Sequence, residues 1–176
     1  YNDADFRKKM KFPMKAKAFK QVFLDTVPVL TGYLFLGMGF GILLAEQTGK
    51  GPLWAALMAI FVFAGSGQYL TVELLKNNSD LVSAAIAIFL VNARHIFYGI
   101  SLIDAYKNAG LKKLYMIFGL TDETYSLVTQ KSPPEGMPRH TYCLLVTGLD
   151  HIYWVIGCVL GNLAGSYIPI SFEGVE

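Results

Sequence analysis

Five long apolar runs make up most of this chain, at residues 22–45, 53–75, 81–103, 114–130 and 141–166. A helix rises about 1.5 Å per residue, so about 20 apolar residues cross the roughly 30 Å hydrocarbon core of a bilayer. All but the fourth run reach that length. Charged residues are only 16% of the chain and hydrophobic ones 53%, whereas an ordinary soluble domain carries roughly 25% charge. Too few polar residues remain to cover a water-facing surface, and lipid is the physical alternative. The expected fold is all-α: a polytopic membrane helix bundle of about five hydrophobic segments, some broken at mid-membrane.

The net charge of +2 is unevenly spread. Arg7, Lys8, Lys9, Lys11, Lys15, Lys17 and Lys20 face only Asp3 and Asp5 before the first apolar run. Cationic flanks stay on the cytoplasmic side during insertion. This predicts a basic cytoplasmic segment at 1–21 and a transmembrane domain over 22–176. The stretch is too long and too charged for a signal peptide. It also abuts a membrane segment, which argues against a nucleic-acid-binding arm. Orientation further along is ambiguous. If every run crosses, the basic stretch "DAYKNAGLKK" (104–113) lands outside, against the usual bias; otherwise one broken run turns back. Cys143 and Cys158 share one run, about 22 Å apart if helical, too far to bridge.

The runs are not uniformly apolar. Pro28 is expected in the first turn of the first helix, where its missing donor costs nothing. Gly37 and Gly41 are four residues apart, as are Gly157, Gly161 and Gly165. Such spacing lines one helix face with small residues and lets a neighbouring backbone approach closely, so these five are read as helix-packing positions. "KNNSD" (76–80) is a turn with Ser79 or Asp80 as N-cap. "KSPPEGMPRH" (131–140), with three prolines, is a loop.

The second run is interrupted by "FAGSGQ" (63–68). Unwound backbone survives in lipid only inside protein or beside a water-filled cavity. A helix restarting near Ser66 would point free N–H groups at the break and attract an anion. The alternative is an intact helix in which Gly65, Ser66 and Gly67 are small packing residues. The third run contains "VNARH" (91–95). A charge at the bilayer centre costs roughly 2.5–3.5 kcal/mol on insertion scales, so Arg94 must face protein and find Asp122, Glu123, Asp150 or Glu73. His95 suits proton transfer. The fourth and fifth runs add "TDET" (121–124) and "GLDHIYW" (148–154), whose Tyr153 and Trp154 could instead be interface-belt aromatics.

Together these patches point to one buried site. Gly65, Ser66, Gly67, Gln68, Asn92, Arg94, Asp122 and Asp150 are candidate substrate-binding residues, and His95, Asp122, Glu123 and His151 candidate proton-coupling residues. A small zwitterion fits that lining. Phe63, Tyr69, Phe97 and Tyr98 are candidate apolar liners. No metal-ligand spacing or phosphate-binding loop occurs, so neither metal, cofactor nor ATP is expected.

The runs "PVLTGYLFLGMGFGILL", "FAGSGQ", "LVNARHIFYGISL", "TDETYSL" and "GLDHIYWVIGCVLG" resemble the AzlC family over about residues 18–175. "VNARH" and "TDET" are its most specific motifs. The resemblance implies the large, YgaZ-like subunit of a bacterial branched-chain amino-acid exporter in the inner membrane. It implies export of valine, leucine and isoleucine, with methionine as a further candidate, driven by proton antiport. It also implies a small membrane subunit of the AzlD/YgaH type as partner; further self-association stays open. Family members continue beyond Glu176, so a C-terminal truncation is expected. The chain is therefore read as a transporter and not an enzyme. A passive amino-acid channel, a structural scaffold and an intramembrane serine hydrolase built on Ser66 with His95 or His151 are the rivals.

Overall fold

Residues 16–167 are described by a computed structural model, and every regular element among them is an α-helix. In chain order these are α1 (Ala16–Thr48), α2 (Pro52–Phe61), α3 (Gly65–Lys76), α4 (Leu81–Asn92), α5 (Arg94–Ser101), α6 (Lys112–Phe118), α7 (Asp122–Gln130) and α8 (Arg139–Tyr167). Only α1 and α8, at 33 and 29 residues, are long and apolar enough to cross a membrane. The pair α4–α5, bent by 40° at Ala93, makes a third if it is one span. Of the about five hydrophobic segments expected, two among the described residues are helices able to span a membrane, or up to three. Three of the five apolar runs are divided into helices of 7 to 12 residues, each at most about 18 Å long.

The basic cluster Arg7, Lys8, Lys9, Lys11 and Lys15 lies outside the described residues; Lys17 and Lys20 are exposed on the first turns of α1. Pro28 sits in the interior of α1 and not in its first turn, because the helix already runs from Ala16. Asp80 caps α4, its Oδ1 accepting from the Val82 and Ser83 N–H groups at 3.0 Å each. Large apolar side chains point outward along most helices, among them Phe35, Phe61, Leu81, Phe89 and Leu114, a surface suited to lipid.

Helices α1 and α8 form the spine. A Cβ on Gly37 would stand 3.0 Å from the Gly157 backbone; on Gly41 it would meet Cys158 and Asn162, on Gly161 Met38, and on Gly165 Ile42, 2.9 Å away. Small residues on both helices therefore bring the two backbones into direct contact, the packing that substitutes for the hydrophobic effect in lipid. Contacts climb together in number along both helices, so α1 and α8 run parallel.

Between them the chain makes two helical hairpins at opposite ends of the spine. Near Lys50, whose carbonyl accepts from Asn162 Nδ2 at 3.0 Å, α2 starts toward the middle. It ends at Phe61, and two residues on, Phe63 packs against His151, ring centroids 4.3 Å apart. Then α3 climbs back along α1, with Tyr69 Oη donating to the Leu36 carbonyl at 2.6 Å. Val29, Tyr33, Phe40, Leu44, Ala55, Ala59, Val72 and Trp154 close that half of the core. At the other end Val22, Met116, Val128, Tyr142, Cys143 and Val146 close the second half. There α6 runs inward to Phe118, and α7 returns to Lys131, whose Nζ is 3.8 Å from Asp25 Oδ1. The hairpin tips meet, with the Phe63 and Phe118 rings 6.4 Å apart. Cys143 and Cys158 are free and buried.

Candidate functional site

Three helices begin where the hairpin tips and the α4–α5 bend converge. Phe63 takes a left-handed backbone conformation, φ 42°, uncommon for a bulky residue. It follows the end of α2, where the Val62 and Phe63 N–H groups both reach the Met58 carbonyl. Helix α3 restarts at Gly65 with no side-chain cap. Helix α5 restarts at Arg94 after the bend. Helix α7 starts at Asp122 with Thr121 as its cap, the Thr121 hydroxyl accepting from the Thr124 N–H at 3.2 Å.

The three starts surround a cavity of about 400 Å³, lined by Tyr33 and Leu36 of α1, residues 63–66 and Tyr69, Asn92, Arg94 and His95, Thr121, Asp122 and Glu123, and Trp154 of α8. Its size falls in the roughly 300–1,000 Å³ range of small-molecule sites. Arg94 Nη1 pairs with Asp122 Oδ2 at 2.8 Å, and Arg94 Nη2 reaches Ser66 Oγ at 3.4 Å. The first carboxylate of α7 thus neutralises the first cation of α5. His95 Nδ1 lies 2.9 Å from the Asn92 carbonyl, and Asn92 Nδ2 donates to the Ile88 carbonyl at 2.9 Å. Tyr33 Oη donates to Glu123 Oε2 at 2.7 Å.

Gly65, Ser66, Asn92, Arg94, His95, Asp122 and Glu123 therefore share one cavity with Phe63 and Tyr69. Four other candidate substrate or proton residues do not line it. Gly67 is buried against Asn92, where a Cβ would come 2.9 Å from Nδ2. Gln68 is fully buried and its Oε1 accepts from Trp154 Nε1 at 2.8 Å. Asp150 is fully buried behind Thr124, whose hydroxyl donates to Asp150 Oδ2 at 2.7 Å. His151 stands beside the Tyr115 hydroxyl (3.0 Å) and the Ala59 carbonyl (3.2 Å). It borders a separate apolar cleft with Ile60, Ile152, Val155 and Ile156.

Neither His95 nor His151 hydrogen-bonds Ser66, whose hydroxyl is met by Arg94; His95 Nδ1 meets the Asn92 carbonyl and His151 meets Tyr115 and Ala59. Phe97 is 73% exposed and points away from the cavity; Tyr98 stacks on Tyr125 at 4.4 Å. Tyr98 also packs edge-on against the cavity-lining His95 at 5.8 Å, so it borders the site without lining it. Trp154 and Tyr153 are buried and not belt residues; the Tyr153 hydroxyl lies 3.0 Å from Thr26 Oγ1. Tyr33, Leu36, Thr121 and Trp154 are liners that sequence patterning missed. Tyr33 and Leu36 sit inside a continuous apolar helix with no local polar break to mark them.

The AzlC protein family model matches residues 28–168. The chain is 36% identical over 159 residues to a Bacillus subtilis (strain 168) protein named branched-chain amino acid transport protein AzlC, covering 90% of this chain and 62% of that one. It is 37% identical over 160 residues to an uncharacterized membrane protein of Helicobacter pylori (strain ATCC 700392 / 26695), covering 91% and 70%. Against the inner membrane protein YgaZ of Escherichia coli (strain K12), identity is 27% over 157 residues, covering 86% and 63%. The chain thus spans about two thirds of the length of these relatives. No solved structure matches it. The match across both spine helices and all three helix starts settles the family: this chain belongs to the AzlC family.

Proposed function

We propose that this chain forms the core of a secondary transporter that exports valine, leucine and isoleucine, with methionine as a further substrate, by proton antiport across the inner membrane. A small membrane subunit of the AzlD/YgaH type completes it. The observation that carries this reading is the cavity itself, where the Arg94–Asp122 pair and the exposed start of α3 adjoin Leu36, Phe63, Tyr69 and Trp154. A helix start and a guanidinium attract a carboxylate. Asp122 and Glu123 attract an ammonium. The aromatic wall takes a branched side chain, and discrimination among such side chains is modest, since one methylene is worth about 1–3 kcal/mol.

The fold also supports a topology. With α1 and α8 parallel, the intervening chain returns across the membrane once, and α4–α5 is the stretch able to do so. The α2–α3 and α6–α7 hairpins are then re-entrant from opposite sides, meeting at mid-depth around the cavity, as broken helices do in other secondary transporters. The basic stretch 104–113 falls on the same side as the N-terminus, in keeping with the positive-inside bias.

The test is uptake of labelled valine into inverted membrane vesicles carrying the chain with its small subunit. Proton antiport predicts accumulation above the external concentration when the lumen is acidified, and its loss with a protonophore. Equilibration without accumulation would establish the passive-channel reading instead.

A further inference from the structure

From the cavity wall inward, five oxygens stand in a row. Glu123 Oε2 lies 2.7 Å from Tyr33 Oη, which lies 2.7 Å from Thr121 Oγ1. Thr121 Oγ1 is 3.2 Å from Thr124 Oγ1, which is 2.7 Å from Asp150 Oδ2. Glu123, Tyr33 and Thr121 line the cavity; Thr124 and Asp150 do not. Tyr33 is 4% exposed, Thr121 8%, and Thr124 and Asp150 0%. Four contacts in series need four bridging hydrogens. The three hydroxyls supply one each, and an ionised carboxylate supplies none. With both acids ionised, the hydroxyl hydrogens turn outward to the two charges, and the longest contact, Thr121–Thr124, is left open. One added proton closes the whole row.

Nothing else in the neighbourhood fills that gap. The Thr124 N–H reaches Thr121 Oγ1 from the side, at 3.2 Å. Asp150 Oδ1 has no hydrogen-bond partner. Among the described residues, no cation pairs with Glu123 or Asp150; Arg94 is held by Asp122. The other titratable side chains around Asp150 are Tyr115 of α6 and His151 and Tyr153 of α8. Tyr115 and His151 bond each other, and Tyr153 bonds Thr26.

We propose that this row is a binding site for one exchangeable proton, shared between Glu123 at the cavity wall and Asp150 in the interior. A proton arriving on Glu123 Oε2 passes to Tyr33 as the tyrosyl proton passes to Thr121. The Thr121 proton passes to Thr124 and the Thr124 proton to Asp150 Oδ2. One O–H bond breaks at Glu123, one forms at Asp150, every hydroxyl is regenerated, and no electrons are transferred. Asp150 is accordingly a proton-holding residue and not a substrate contact. A role for the row in coupling rests on the transport reading; the existence of the shared proton does not.

Infrared spectroscopy of the full chain in H2O and D2O tests this through the C=O stretch of protonated carboxyls. In Asp150→Asn the amide donates to Thr124, and in Glu123→Gln it donates to Tyr33; each supplies the fourth hydrogen and leaves the remaining acid ionised. The expected result is a wild-type band worth one carboxyl that disappears in either single variant, with no further loss in the double. Two independent acids would instead lose the band in one variant and keep it in the other, which overturns the proposal. Wild-type protein with carbon-13-labelled aspartate or glutamate provides a reading free of folding effects. Each label should shift part of the same band, and a band moved by one label alone overturns the sharing. A shared band in a protein that shows no proton-driven valine uptake would sink the transport reading and leave the proton site standing.

Discussion

Arg94 and Asp122 meet at 2.8 Å, and each is the first residue of a helix that restarts at an interruption in an apolar run. Their side chains remain 45% and 37% exposed, so water in the cavity screens the pair. A screened pair contributes about 0–1 kcal/mol to stability. Its value is in what it presents to the cavity. Arg94→Gln or Asp122→Asn is expected to lower valine uptake tenfold or more while thermal unfolding of the purified protein shifts by only a few degrees. Unchanged uptake in both variants would assign the pair a scaffold role.

Two turns report the topology. Ser79, before α4, and Lys107, after α5, are both exposed and flank the proposed return passage. Native Cys143 and Cys158 are fully buried and give little background. In intact cells, Ser79→Cys is expected to react with a membrane-impermeant maleimide and Lys107→Cys only after permeabilisation. Labelling of both from the same side would exclude α4–α5 as a span.

The glycine contacts of the spine separate close packing from mere smallness. On α8, a Cβ at Gly161 would strike the Met38 backbone, while one at Gly148 meets nothing within 4 Å. Gly161→Ala should force the helices apart and destabilise the protein by about 1–3 kcal/mol. Gly148→Ala should be neutral or stabilise by up to about 1 kcal/mol, since alanine loses less backbone freedom in a helix. Thermal unfolding in detergent, with both variants side by side, decides it.

The helical class was legible because only lipid can cover so apolar a chain, and Asp80 was legible as a cap because its role is local. What local signals could not supply was depth and direction. Lysines before residue 21 suggested that the first helix begins after them, yet α1 already includes Lys17 and Lys20 and places Pro28 in its interior. Run length marked five apolar segments but left the number of crossings open, because length cannot distinguish a straight helix from a hairpin of equal length. The polar residues around the breaks could be picked out one by one. Which of them share a cavity depends on contacts between residues 88 or 90 positions apart, such as Tyr33 with Thr121 and Glu123. The same reason hid the distinction between Asn92 at the cavity and Gln68 buried beyond it.

Gln68 and Trp154 allow the last of these contacts to be measured. Gln68 is fully buried; its Oε1 accepts from Trp154 Nε1 at 2.8 Å, and its Nε2 has no partner. Trp154 also packs edge-on against Tyr33 at 5.3 Å, so it ties α3 to the spine beside the cavity. Trp154→Phe removes the indole donor and leaves both polar ends of Gln68 unsatisfied, a loss of about 1–3 kcal/mol in addition to the smaller ring. Gln68→Met removes the buried amide at similar volume. Once the amide is gone the indole has nothing left to satisfy, so the double variant is expected to be less destabilised than the sum of the singles. A coupling of about 0.5–3 kcal/mol in the double-mutant cycle is the expected outcome. Strict additivity would mean that the hydrogen bond does not hold α3 in place.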